Sequence, residues 1–152
     1  MPQFETTRRV NHSADNMFDL VADVKAYPRF VPLCRSLTVR RRDSLGDGRE
    51  VLIAEMTVAY KFIKESFTSR VILDRANNRI DVSYLDGPFQ EMNNRWSFEP
   101  VGEDKTDVHF AIKYEFKNRA LASLMGSVFD RAFRRFADAF QERADKVYGV
   151  TA

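Results

Sequence analysis

The last fifth of the chain, "NRALASLMGSVFDRAFRRFADAFQERADKVYG" (118–149), is the strongest constraint on its fold. Phe129, Phe133, Phe136 and Phe140 follow a 4-3-4 spacing. Residues three and four apart share one face of a helix, so the four rings form a stripe. Asn118 is a natural N-cap and Gly149 a natural C′ residue. A helix of nearly thirty residues spans roughly 40 Å, enough to cross a whole sheet. Gly126, between Ser123 and Ser127, costs about 1 kcal/mol against alanine, and marks either a close approach or a bend.

Something with a large dry face must lie under such a stripe, and the middle of the chain supplies it. From Ser36 onward the apolar residues recur with a period of two. Leu52, Ala54, Met56, Val58 and Tyr60 share one face, and Ile63, Phe67, Val71 and Leu73 another. Ile80, Val82 and Tyr84 continue the pattern, as do Met92, Trp96 and Phe98 with Asn94 interrupting them. The cleanest run is Val108, Phe110, Ile112, Tyr114 and Phe116. Such alternation predicts an antiparallel sheet with one wet and one dry face. Turn-forming stretches at 45–48, 75–78, 86–88 and 101–105 separate the runs and favour sequential hairpins.

Ahead of these lie a weakly alternating strand at 3–11 and an amphipathic helix. Ser13 caps that helix, Asp15 sits in its first turn, and Met17, Phe18, Leu20, Val21 and Val24 face inward. The helix must stop before Pro28, leaving "YPRFVPLC" as a rigid, irregular corner. The expected class is therefore α+β: a curved antiparallel sheet of about six or seven strands around one long C-terminal helix.

At 152 residues, 44% hydrophobic and 30% charged, the chain fits a single domain over 1–152. Thirteen Phe and five Tyr against one Trp suggest a wide, ring-lined interior. One cysteine excludes an internal disulfide, and two histidines with it leave no zinc set. No apolar run has the length of a membrane span, and the N-terminus has no apolar stretch for secretion, so the expected location is cytoplasmic. A net charge of +2 confines any binding to nucleic acid or anionic lipid to local patches, and no DNA partner is expected.

A strongly twisted sheet curls, and a straight helix across a concave sheet touches its rim more easily than its middle. The space between is filled by side chains or by a guest. Composition alone favours a filled core, since an aromatic stripe at helical spacing is more often core than ligand wall.

Two motifs shift that balance. "VADVKAYPRFVPLC" (21–34) resembles the helix and "YP-x-F-x-P-x-C" segment of the coenzyme Q-binding START-like proteins. "LDGPFQEMNNRWSF" (85–98) resembles the same family's "GPF…W-x-F" hairpin. The order of elements agrees too, so the resemblance spans the chain. It implies the helix-grip (START/Bet v 1-like) fold of the polyketide cyclase and lipid-transfer superfamily. By position it places Tyr27, Pro28, Phe30, Pro32 and Cys34 on the first motif, and Gly87, Pro88, Phe89, Trp96 and Phe98 on the second. Gln90 and Met92 depart from the lysine and leucine expected there, the former removing a charge from a pocket mouth.

The resemblance further implies a non-enzymatic role, without any required cofactor. Ubiquinone or a similar polyprenyl lipid would bind in an apolar cavity, in support of respiratory electron transport, with peripheral contact to the inner face of a membrane or to respiratory enzymes. The candidate wall comprises Tyr27, Phe30, Met56, Tyr60, Phe67, Tyr84, Phe89 and Asn94 from the corner and early strands. Trp96, Phe98, Phe110 and Tyr114 join them from later strands, and Met125, Phe129, Phe133 and Phe136 from the helix. Burying a prenyl tail gains about 0.8 kcal/mol per CH₂, so no charged anchor is needed. Asn94, Tyr60, Tyr84 and Tyr114 are the candidate donors to quinone carbonyls.

Catalysis has little support. His12 and His109 read as solvated histidines, Cys34 as a buried thiol, and Glu55, Glu65 and Glu115 as outer-face residues, which leaves no cavity acid or base. A second class remains open, since relatives described as ribosome-association toxins, which bind the large ribosomal subunit and block subunit joining, resemble the chain equally well. Arg40–Arg42 and Arg131, Arg134 and Arg135 could contact phosphates or an anionic membrane, although solvated faces explain them too.

Overall fold

The computed structural model describes residues 3–149. Its elements run β1 (Gln3–Val10), α1 (Ala14–Ala22), a 3₁₀ segment (Val24–Arg29), and β2 (Cys34–Ser44). There follow β3 (Glu50–Tyr60), β4 (Ile63–Asp74), β5 (Arg79–Asp86), β6 (Phe89–Gly102), β7 (Lys105–Phe116) and α2 (Arg119–Tyr148). The strands form one seven-stranded sheet in the order β1-β7-β6-β5-β4-β3-β2, antiparallel throughout. Strands β2 to β7 are successive hairpins, and β1 returns to pair with β7. The expected class and order of elements hold.

Both helices are capped by the expected residues. Ser13 Oγ accepts from the Asn16 amide at 3.1 Å, and Asn118 Oδ1 from the Leu121 amide at 2.9 Å. Gly149 closes α2 with φ +86°, its amide donating to the Asp145 carbonyl at 2.9 Å. Gly126 admits no close approach, because a Cβ there would meet nothing within 4 Å. The corner is more regular than expected: the chain passes through Pro28 as a 3₁₀ segment. It then turns sharply at Leu33, whose φ is +67°.

Register fixes the concave face. Leu52 pairs with Val71, Val71 with Val82, Val82 with Asn94 and Asn94 with Ile112, so these five side chains line one side of the sheet. Over that face lies α2, burying Met125, Phe129, Ala132, Phe133, Phe140 and Ala144. Each buried phenylalanine contributes about 1.5–3 kcal/mol. The backbone of α2 comes close to β1, β7 and α1, while the arch from β2 to β5 stands further off.

The "GPF" turn locks the two layers. Gly87 has φ +142°, and a Cβ there would lie 2.6 Å from Phe67 Cβ. Only glycine lets the β5–β6 turn lie against β4. It delivers Phe89 as a hub, with ring centroids 5.6 Å from Phe67, 5.5 Å from Tyr84, 5.1 Å from Phe116 and 5.7 Å from Phe129. Gly87→Ala combines overpacking with backbone strain and should cost about 2–4 kcal/mol, measured as a lowered urea midpoint with unchanged m.

Candidate functional site

Between the concave sheet and α2 lies an apolar cavity of about 100 Å³. A single water needs about 10–15 Å³, and small-molecule pockets usually span roughly 300–1,000 Å³. The space therefore suits a compact ring, and a longer body must displace side chains or extend outward. Leu33, Val58 and Phe129 belong both to this cavity and to a neighbouring groove walled by Tyr60, Ile63, Met125 and Val128. That groove continues toward the β3–β4 turn, where Phe62 is 89% exposed.

The structure brings nine of the expected residues to the cavity wall: Tyr27, Met56, Phe67, Phe89, Asn94, Trp96, Phe129, Phe133 and Phe136. Pro32 of the corner joins them. Tyr60 and Met125 line the adjoining groove instead. Phe98, Phe110 and Tyr114 are buried away from the cavity, Phe110 behind Trp96 at 4.7 Å and Tyr114 against Phe133 at 5.1 Å. Tyr84 is tied up supporting the hub, its hydroxyl accepting from the Phe89 amide at 3.1 Å. Pro28, Cys34, Gly87 and Pro88 shape the surroundings and do not line the cavity.

The corner acts as a clasp on the helix. The Tyr27 hydroxyl donates to the Val21 carbonyl at 2.5 Å, and burial raises its pKa far above the ordinary phenol range. The rings of Tyr27 and Phe30 sit 5.4 Å and 5.0 Å from that of Phe140. Phe30 thus holds the helix from behind rather than facing the cavity. Of the four donors expected for a carbonyl, Asn94 alone lines the cavity, with its Nδ2 donating to the Ala111 carbonyl at 2.9 Å.

Several wall residues escape motif and aromatic reading: Val24, Leu37, Val71, Ile80, Val82, Ile112 and Ser69. Ser69 has the same parity as Phe67 and Val71, so alternation marks its face, but a lone serine in an apolar run attracts no notice. Its Oγ is buried and has no hydrogen-bond partner among the described residues.

Three expectations need correction. His12 is buried, 5% exposed, because it is enclosed where α2 ends; its Nε2 lies 2.7 Å from Asp145 Oδ1. His109 is on the outer face as expected, 3.0 Å from Glu5. Glu65 shares the inner face, since register pairs it with Val58, but it sits near the rim and is absent from the cavity wall. Gln90 is exposed beside Lys117 in a separate surface hollow, not at the cavity mouth. The arginine runs are largely neutralised locally: Arg40 pairs with Glu55, Arg41 with Asp43, Arg42 with Glu50 and Arg134 with Asp130. Among the described residues no helix is long and apolar enough to cross a membrane.

Residues 10–141 match the polyketide cyclase/dehydrase and lipid transport family. The ribosome association toxin RatA of Escherichia coli K12 is 32% identical over 150 residues, covering 99% of this chain and 91% of that protein. The mitochondrial coenzyme Q-binding protein COQ10 of Dictyostelium discoideum is 29% identical over 147 residues, covering 95% and 70%. Among solved structures, an 18 kDa protein from Caulobacter crescentus superposes with a TM-score of 0.79 at 35% identity, covering 99% of this chain and 100% of that one. An aromatase/cyclase from Streptomyces shares the fold at a TM-score of 0.77 and 19% identity.

Burial pushes the Cys34 thiol up to about 11. Alkylation of the folded protein should therefore rise with pH toward that value, whereas the urea-unfolded chain should react with an ordinary thiol profile near 8.5. The sign for stability follows. Between those two values the folded state holds a proton that the unfolded state has lost, so this group's contribution is intact below about 8.5 and fades as pH rises. Alkylation half-ionisation at the same pH in both states would contradict the buried placement.

Proposed function

The chain belongs to the polyketide cyclase/dehydrase and lipid transport family, and on that premise we propose that it binds an isoprenoid quinone of the ubiquinone type beneath α2. It acts as a chaperone or carrier in respiratory electron transport and performs no chemistry on its ligand. The observation that carries this reading is the composition of the cavity wall. Among the described residues only Tyr27, Ser69, Asn94 and Trp96 bring a side-chain nitrogen or oxygen to it, and no carboxylate, histidine, lysine or arginine does. A weakly polar ring fits such a wall, whereas acid–base catalysis needs a titratable group within reach of the substrate. The coenzyme Q-binding relative supports the same ligand class.

The narrow groove leading outward, about 10 Å³, marks the direction in which a tail would part the apolar side chains. It ends by Tyr60 and Ile63, which flank the exposed Phe62 in the β3–β4 turn. Lys61 and Lys64 are exposed beside that ring. An apolar tip between cations suits shallow contact with an anionic bilayer, from which a quinone can be collected.

A second reading rests on the relatives named as ribosome association toxins, RatA among them. In that role the chain would contact ribosomal RNA through its basic residues. Pairing of Arg40, Arg41, Arg42 and Arg134 with neighbouring carboxylates weakens that surface, although Arg131 and Arg135 are exposed and have no ion pair among the described residues, and the pairing speaks for the quinone.

Thermal denaturation with added short-tailed ubiquinone tests the primary reading. At a hundred times its dissociation constant the ligand should add about 2.7 kcal/mol of apparent stability. Raising salt from 50 to 200 mM should leave that gain nearly unchanged, whereas ribosome cosedimentation should weaken steeply. No stabilisation together with salt-sensitive cosedimentation would transfer the assignment to the ribosome. Phe62→Asp should slow quinone uptake from anionic vesicles at least severalfold, with binding of detergent-dispersed quinone intact. Equal uptake by both proteins would remove the turn from the route.

A further inference from the structure

Ser69 is out of keeping with its surroundings. It stands on β4 between Phe67 and Val71, faces the cavity, and is only 6% exposed. Its register partners are Ala54 on β3 and Tyr84 on β5, and the Tyr84 hydroxyl is occupied at the Phe89 amide. The buried threonine hydroxyls among the described residues have partners. Thr57 Oγ1 lies 2.7 Å from Ser66 Oγ, and Thr106 Oγ1 donates to the His12 carbonyl at 2.8 Å. Ser69 Oγ has no such partner among the described residues. A buried hydroxyl without a partner opposes folding, and alanine would fit the site at no such cost. The position therefore carries a group that the folded protein does not itself use.

We infer that the Ser69 hydroxyl is the hydrogen-bond donor that fixes a carbonyl oxygen of the cavity ligand. This inference rests on the apolar-ligand reading above and specifies its orientation. A donor on the central part of the wall draws the carbonyl-bearing ring inward. The cavity of about 100 Å³ holds a ring and leaves no room for a long chain, so the tail must part the side chains of the adjoining groove, which has about 10 Å³ free past Met125 and Val128. Asn94, two strands from β4 on the same face, is the other polar side chain on the sheet side whose amide reaches the wall. Its Nδ2 already donates one hydrogen to the Ala111 carbonyl, and beside its second N–H and the Trp96 indole N–H, Ser69 is the fully buried hydroxyl of the wall with no partner among the described residues. The ligand class is thus an apolar molecule with a carbonyl at its leading end, a quinone or a ketone, as opposed to a plain hydrocarbon or a fatty acid entering tail first.

The test compares decylubiquinone with decylbenzene, which has a similar apolar body without carbonyls. Binding to the wild-type chain, Ser69→Ala and Ser69→Thr is read from the fluorescence of Trp96 and from thermal shift. Ser69→Ala should weaken decylubiquinone about three- to tenfold, the range expected for one neutral hydrogen bond. Decylbenzene should bind all three proteins alike, and Ser69→Thr should retain most of the quinone affinity. Without ligand, Ser69→Ala should unfold at the same or a higher urea concentration than the wild type. A serine with a purely structural role would lower that midpoint and weaken both ligands together. Unchanged quinone affinity in Ser69→Ala, or equal losses for both ligands, overturns the inference while leaving the apolar cavity in place. If the wild-type chain takes up neither ligand, the quinone reading itself fails, and the role of Ser69 with it.

Discussion

A straight helix can follow a curved sheet closely only along part of its width. Here α2 lies against β1, β7 and α1, and the arch from β5 to β2 rises away from it. Phenylalanines bridge the difference, because few other side chains reach far enough without bringing a polar group inside. Their contacts are mostly tilted or edge-on, as between Phe133 and Phe136 at 5.3 Å and 80° or Phe30 and Phe140 at 5.0 Å and 86°. Rings meeting at such angles do not fill a concave space completely. The void and the stability of the layer above it therefore have the same origin. The far end of α2 is fixed by polar contacts instead: His12 to Asp145, Thr106 to the His12 carbonyl, and the Tyr148 hydroxyl to the Asn16 carbonyl at 3.0 Å.

The two motifs make sense as devices for holding this arrangement. Gly87 permits a contact that any side chain would block, and Phe89 then ties four strands to the helix. Tyr27 and Phe30 grip Phe140 from the opposite end, and the turn at Leu33 sends the chain into β2, with the Ala59 amide donating to the Leu33 carbonyl at 3.0 Å. Among the described residues neither motif brings a carboxylate, histidine, lysine or arginine to the cavity wall. Both preserve the shape of a space, which agrees with a fold shared by proteins of different roles.

What could be read from the chain alone follows from which forces are periodic. Strand alternation and the helical stripe report burial directly, so element order, caps and the concave face were legible down to Ser13, Asn118 and Gly149. Which inner residues border a void is different, since Tyr114 and Phe133 have the same apolar signature and only curvature separates them. The burial of His12 is not legible locally, because it comes from the end of α2, where its partner Asp145 lies 133 residues further on. Ser69 escapes notice for the opposite reason. Its parity is plain, but the lack of a partner is visible only when every neighbour has been placed.

The sheet is open, and β2 forms one of its two outermost strands. Strands in that position expose unpaired amides and carbonyls to any other chain that comes alongside. Along this rail stand Arg40, Arg41 and Arg42, each already held by a carboxylate of its own hairpin. Charged side chains along such an edge disfavour another strand, which would have to desolvate guanidinium groups close to its own backbone. The triplet that looks at first like a handle for phosphates thus also gives the open border the kind of charge that discourages strand-to-strand pairing, with the ring-rich interior held behind it.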